Sequence, residues 1–230
     1  NFDLLPLGQV LLRLSPPDNE RLSRGDTFVK QVGGAELNVA VGAALLGLHT
    51  GVISKLPAHD IGSFMKGKIR SFGVSDDFFM YDQSSAARVG IYYYENGAYP
   101  RKPKVIYDRN HSSFFSLDID EIPEEVYTAS KCFHTTAITL ALNEDIRETT
   151  IEMIKRFKAA GTLVSFDVNF RGNLWTGDQA RECILRILPY VDIFFCSEDT
   201  ARLTFLKTGT AREMMKSFTE EFPLSIVAST

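Results

Sequence analysis

Three short stretches of the sequence group residue types that can bind and activate a polar ligand. The first is Val32-Gly33-Gly34-Ala35-Glu36-Leu37-Asn38. Paired glycines opening a helix let the backbone come close to a ligand, and the first helical turn offers free N–H groups. Asn38, one turn in and opposite Leu37 and Val41, carries an amide that can hydrogen-bond a hydroxyl. The same residues would equally make a plain glycine turn beside a solvated Asn. The second stretch is Asp167-Val168-Asn169-Phe170-Arg171, at the end of an apolar run. Arg171 either offers a bidentate fork to a carboxylate or phosphate, or closes a structural pair with Asp167. The third is Tyr107-Asp108-Arg109, with Tyr92 across a hairpin from it. Such an aromatic–arginine pair either closes over a polar ligand and excludes water, or simply packs a surface element.

The elements that position these residues follow from hydrophobic periodicity. Residues 10–14 read as a strand broken by Ser15-Pro16-Pro17-Asp18. Leu37, Val41, Leu45 and Leu48 recur at helical spacing over 35–48. A short strand is expected over 51–56 and a helix over 60–72, capped by Gly73. A Tyr-rich strand at 89–95, an Asn96-Gly97 turn signal and a second strand at 104–109 form an excursion. It is either an ordinary surface hairpin or a small β-lid over a site.

From Lys131 onward the alternation is regular. Strands are expected at 131–138, 162–168, 191–196 and 224–228, with helices at 144–160 (capped by Asn143), 178–188, 197–206 and 211–221. This pattern builds a parallel sheet covered on both faces, with ligands at the carboxyl ends of its strands.

The composition excludes several classes. The 230 residues carry 25 Lys+Arg against 29 Asp+Glu, a net charge of −4, with 44% hydrophobic residues. Neither disorder nor nucleic-acid binding fits that balance. No apolar run approaches the roughly 18 residues that span a bilayer. The first residues lack a basic region and a cleavage site, so no secretory signal is expected, and the absent initiator Met points to residues lost ahead of Asn1. Cys132, Cys183 and Cys196 are far apart, without a CxxC pair, and read as reduced thiols of a cytoplasmic protein. The four histidines lack metal-ligand spacing. GxxxxGK[ST], GxGxxG, GxSxG and HExxH are all absent, which removes support for a dehydrogenase or a serine hydrolase.

Taken in order, GGAELNVAVGAALLGL, SFGV, the Tyr-rich hairpin, SFDVNFRGNLW and FFCSED resemble the ribokinase-like (pfkB) sugar kinases. LLRLSPPDNERL, IYDR and the DVNFR…LW block are similar to the subgroup acting on 2-keto-3-deoxygluconate. The resemblance spans about residues 8–228. It implies a three-layer α/β/α fold, doubly wound around a mostly parallel sheet, filling residues 1–230, with β-lid segments near 10–32 and 88–110. It further implies transfer of the ATP γ-phosphate to the 6-hydroxyl of that sugar acid, with Mg²⁺ as cofactor.

By position, Gly33, Gly34, Ala35 and Asn38 would line the sugar pocket. Tyr92, Tyr107 and Arg109 would reach the sugar from the lid, and Ile138, placed in the strand TTAI, would pack against it. Arg171 would meet the acid or the transferred phosphate, and Asn169 the nucleotide phosphates. A homodimer through the lids is also implied. The alternatives are a fructokinase or ribokinase type of sugar kinase, and a non-catalytic sugar-binding fragment.

Two departures stand out. The family's GAGD motif, whose Asp is the general base, does not occur among these residues, so a fragment lacking the C-terminal catalytic part is expected. In FFCSEDTARL, Ser197 and Thr200 stand where the family carries an Asn and a Glu that help organise Mg²⁺.

Overall fold

A parallel sheet needs a long crossover between paired strands, and the chain supplies one after nearly every strand. The computed structural model describes residues 1–229. In chain order its strands are β1 (Phe2–Pro6), β2 (Leu11–Ser15), β3 (Val29–Gly33), β4 (Thr50–Gly51), β5 (Ser54–Pro57), β6 (Val74–Ser75), β7 (Phe79–Asp82), β8 (Gly90–Glu95), β9 (Lys104–Asp108), β10 (Ser130–Thr136), β11 (Leu163–Asp167), β12 (Ile193–Phe195) and β13 (Ile226–Ala228). The helices are α1 (Ala35–Leu45), α2 (Asp60–Ser71), α3 (Ala137–Leu140), α4 (Glu144–Ala159), α5 (Gly177–Ile187), α6 (Glu198–Leu203) and α7 (Ala211–Glu221).

Seven strands pair in the order β13-β12-β11-β10-β1-β4-β6, every pair parallel. The order reverses direction at β1, which is where ligands enter open α/β sheets. The central strands carry the aromatic core. Phe133 stacks on Phe157 of α4 at 4.2 Å, and Phe194 meets Phe218 of α7 edge-on at 5.1 Å. All four rings are completely buried, a position worth roughly 1.5–3 kcal/mol each. Side-chain caps start the helices that cover the sheet. Asn143 accepts from the Ile146 N–H, and Thr176 with Gln179 and Thr210 with Glu213 form reciprocal capping boxes.

A second sheet of four strands, in the order β3-β2-β8-β9, stands apart from the first. β2 and β3, from the segment 10–32, stand beside β8 and β9, the strands read from residues 89–109, with β2 lying parallel to β8. Asn96-Gly97 does not make a tight turn; Ala98 and Arg101 bridge instead, and the connection runs to Lys104.

Two other expectations change, and one strand carries no local signal in the sequence. Phe2–Pro6 forms the strand at the sheet's centre although Asp3 and Pro6 interrupt its apolar pattern. The strand expected over 51–56 divides, its first part joining β1 and its second leaving to pair with β7. The strand expected over 131–138 stops at Thr136, whose hydroxyl accepts from the Ile138 N–H and starts α3; Ile138 is therefore helical.

Candidate active site

The carboxyl ends of β1, β10 and β11 open toward the second sheet, and a cavity of about 210 Å³ lies between them. From the body, Gly34, Ala35 and Asn38 enter at the start of α1, Ile138 from α3, and Arg171 from the segment after β11. From the small sheet come Leu11, Tyr92, Tyr107 and Arg109. Three separate sequence signals thus converge on one small volume. Asn173 and Leu174 also line it, and nothing in their residue types distinguished them beforehand. A wider depression of about 710 Å³, around Asp82, His111, Ser113 and Asn143, gathers none of these residues and no arginine.

Gly33 does not line the cavity, and its contribution is indirect. A Cβ at Gly33 would lie 2.4 Å from the Tyr92 hydroxyl, so the missing side chain makes room for that ring. Gly34 has φ of 142°, a conformation that L side chains rarely adopt, and a Cβ there would lie 2.6 Å from the Gln9 carbonyl oxygen. Tyr92 and Tyr107 are cross-strand partners with ring centroids 6.0 Å apart, and the Arg109 guanidinium lies 5.6 Å from the Tyr107 ring. Burial pushes the Tyr92 phenol above its ordinary pKa, keeping it a neutral donor.

Electrostatically the cavity is framed by two arginines and one hidden carboxylate. Arg109 is half-buried; burial pulls its pKa down, and the Glu36 carboxylate opposes that pull. Glu36 itself is 2% exposed and accepts from the hydroxyls of Thr136 at 2.7 Å and Thr139 at 2.8 Å. Burial raises its pKa, against those hydrogen bonds and the charge of Arg109. Gln9, also buried, accepts from Arg109 Nε at 2.8 Å and donates to the Arg109 carbonyl at 3.1 Å. Arg171 is exposed and makes no ion pair with Asp167 or any other carboxylate among the described residues. Its fork is available to a ligand.

Asn169 lies outside the cavity. It takes a left-handed conformation (φ 32°), with its N–H donated to Asp167 Oδ1 at 2.9 Å. Ser197 and Thr200 are tied to each other at 2.9 Å, and Ser197 caps α6, leaving the exposed Glu198 and Asp199 as the acidic groups at that end. No group of three His, Cys, Asp or Glu side chains assembles a metal site among the described residues.

Residues 2–227 match the pfkB family carbohydrate kinase profile. The chain belongs to the pfkB family of carbohydrate kinases, which are ATP-dependent phosphotransferases. This pfkB chain is 34% identical over 228 residues to a 2-dehydro-3-deoxygalactonokinase of Haloferax volcanii, covering 99% of the chain and 71% of that protein. It is 30% identical over 175 residues to a 5-dehydro-2-deoxygluconokinase of Clostridium botulinum, covering 76% of the chain and 51% of that relative. Its fold superposes with a TM-score of 0.86 on the crystal structure of 2-dehydro-3-deoxygluconokinase from Thermotoga maritima, at 32% identity, over 96% of the chain and 68% of that structure. The ribokinase-like α/β fold expected from the sequence is thereby established.

Proposed function

We propose that this pfkB chain binds a 2-keto-3-deoxy sugar acid, 2-keto-3-deoxygluconate or its galactonate epimer, and presents the 6-hydroxyl to the γ-phosphate of ATP. The observation that carries this reading is the meeting of Arg109 and Arg171 in one cavity of about 210 Å³ that also holds Asn38, Tyr92 and Tyr107. Two guanidinium groups suit an anionic substrate and the phosphate it receives, whereas a neutral sugar needs no second cation.

In this reading Gly34, Ala35 and Asn38 hold the sugar hydroxyls, Ile138 packs its carbon face, and Tyr92, Tyr107 and Arg109 close over it. Arg171 meets the charged end of the acid or the transferred phosphate, and Asn169, outside the cavity, faces the nucleotide phosphates. The small sheet, residues 10–32 and 88–110, acts as the lid that excludes water. ATP brings the phosphoryl group and Mg²⁺ neutralises its charge; Mg²⁺ commonly keeps to phosphate oxygens and one or two carboxylates, so a dedicated cage is not required. In this reading the chain's own residues bind and orient the sugar acid; GAGD does not occur among the 230 residues.

We further propose a cytoplasmic homodimer joined through the lids. The edge strand β9 exposes Val105, Ile106 and Tyr107, and β3 exposes Val29 beside Phe28. Apolar sheet edges of that kind are usually covered. The three cysteines are free thiols, and no helix among the described residues is long and apolar enough to cross a membrane.

The test is ADP release with ATP and Mg²⁺ across 2-keto-3-deoxygluconate, 2-keto-3-deoxygalactonate, fructose and ribose, with calorimetric binding of each sugar in parallel. Turnover or binding confined to the sugar acids supports the reading. Turnover of fructose or ribose without response to either acid overturns it. Sedimentation of wild type against Ile106→Asp tests the dimer, which should dissociate in the variant.

A further inference from the structure

Gln9 lies in the crossing from β1 of the central sheet to β2 of the small sheet, and Arg109 opens the return crossing after β9. The two crossings are stapled by this one side chain. Gln9 is 3% exposed, and both ends of its amide are occupied. Oε1 accepts from Arg109 Nε at 2.8 Å, while Nε2 donates to the Arg109 carbonyl at 3.1 Å and to Ser112 Oγ at 2.7 Å. Gly90 makes the arrangement possible, since a Cβ there would come within 2.8 Å of Gln9 Nε2.

The bond to Nε leaves both terminal nitrogens of the Arg109 guanidinium without a hydrogen-bond partner among the described residues. A planar fork held at Nε and at its own backbone can present those two nitrogens to the cavity in one orientation.

We propose that Gln9 is a positioning residue: it aims the free edge of Arg109 at the substrate carboxylate and so sets the affinity for the acid. This inference rests on the sugar-acid reading above. Gln9 touches the reaction only through Arg109, and a substrate without a carboxylate gains nothing from it.

Gln9→Met keeps the volume and removes all three hydrogen bonds. In the protein as its gene encodes it, the calorimetric Kd for 2-keto-3-deoxygluconate should rise about tenfold, the loss expected for one charge-assisted hydrogen bond. In an Arg109→Ala background Gln9→Met should change the Kd by less than about twofold, because the two residues act as a unit. Gln9→Asn, one methylene short of Nε, serves in place of Gln9→Met if that variant does not fold. Equal losses in both backgrounds, or no loss with intact folding, overturn the inference. A second readout needs no ligand: the Arg109 Nε–H proton should exchange slowly in wild type and fast in Gln9→Met, and equal exchange overturns the inference. If wild type binds neither sugar acid, the substrate reading falls, and the exchange rates still decide whether Gln9 fixes Arg109.

Discussion

The hydroxyl of Tyr92 occupies the space that any side chain at residue 33 would fill, 2.4 Å from where its Cβ would stand. Gly33 therefore shapes the cavity without lining it. A methyl group at 33 must push the tyrosine ring, which sits on the small sheet and can move without unfolding the body. Gly33→Ala should weaken sugar-acid binding about tenfold while changing stability by no more than about 1 kcal/mol. Calorimetry and thermal melting on the same sample check both halves; unchanged binding would show that the Tyr92 position is immaterial.

The neighbouring glycine should answer differently. Gly34 combines φ of 142° with a backbone oxygen, that of Gln9, 2.6 Å from its would-be Cβ. Neither problem is relieved by a side-chain rotation, and the residue sets the entry angle of α1. Gly34→Ala should cost about 2–4 kcal/mol of stability, visible as a clear drop in melting temperature. A variant melting within a degree or two of wild type would contradict this account.

Much of this architecture was legible in the sequence, for reasons that particular residues make plain. Asn143, Gly73 and the apolar pattern of residues 211–221 act locally, so α2, α4 and α7 fall close to the expected 60–72, 144–160 and 211–221. The three ligand-bearing signals were legible because arginine, tyrosine and paired glycine are chemically distinctive at strand and helix ends. What stayed hidden depends on long-range pairing. β1 is a strand because its neighbours β10 and β4 hold it there, whereas Asp3 and Pro6 argue against it locally. Ile138 is helical because one hydroxyl, that of Thr136, caps the turn after β10. Gln9 and Glu36 look like ordinary surface residues in the sequence, and only the partners 100 positions away, Arg109 and Thr136, make them interior ones.

The two arginines should be separable from the rest of the pocket by the charge of the ligand. Arg109→Ala and Arg171→Ala each remove a charge-assisted contact worth roughly 1.5–3 kcal/mol, so KM for the sugar acid should rise about 10- to 100-fold. Lysine should rescue neither, because a point charge cannot reproduce the planar fork. Melting should barely move for Arg171→Ala, since that side chain is exposed and unpaired among the described residues. Affinity for a neutral sugar should be unaffected by either change. An equal loss for charged and neutral sugars would mean that these side chains shape the pocket without reading its ligand's charge.

Acid should weaken this fold through one histidine far from solvent. His134, in β10, is 4% exposed; its Nδ1 lies 2.9 Å from Ser165 Oγ, and its Nε2 has no partner among the described residues. Burial pulls its pKa from 6.5 to about 4. The folded form thus binds fewer protons than the unfolded form between those values, and stability falls as pH drops through that window. Above pH 6.5 the contribution is complete, and below about 4 both forms are protonated and no further loss arises from this group. At ~1.4 kcal/mol per pKa unit the whole effect is roughly 3 kcal/mol. Replacing the imidazole removes the titration while every other group still titrates, so the difference between wild type and His134→Leu isolates it. Denaturant unfolding of both proteins between pH 4 and 7.5 should give a steeper loss for wild type. Parallel curves would place the acid sensitivity elsewhere.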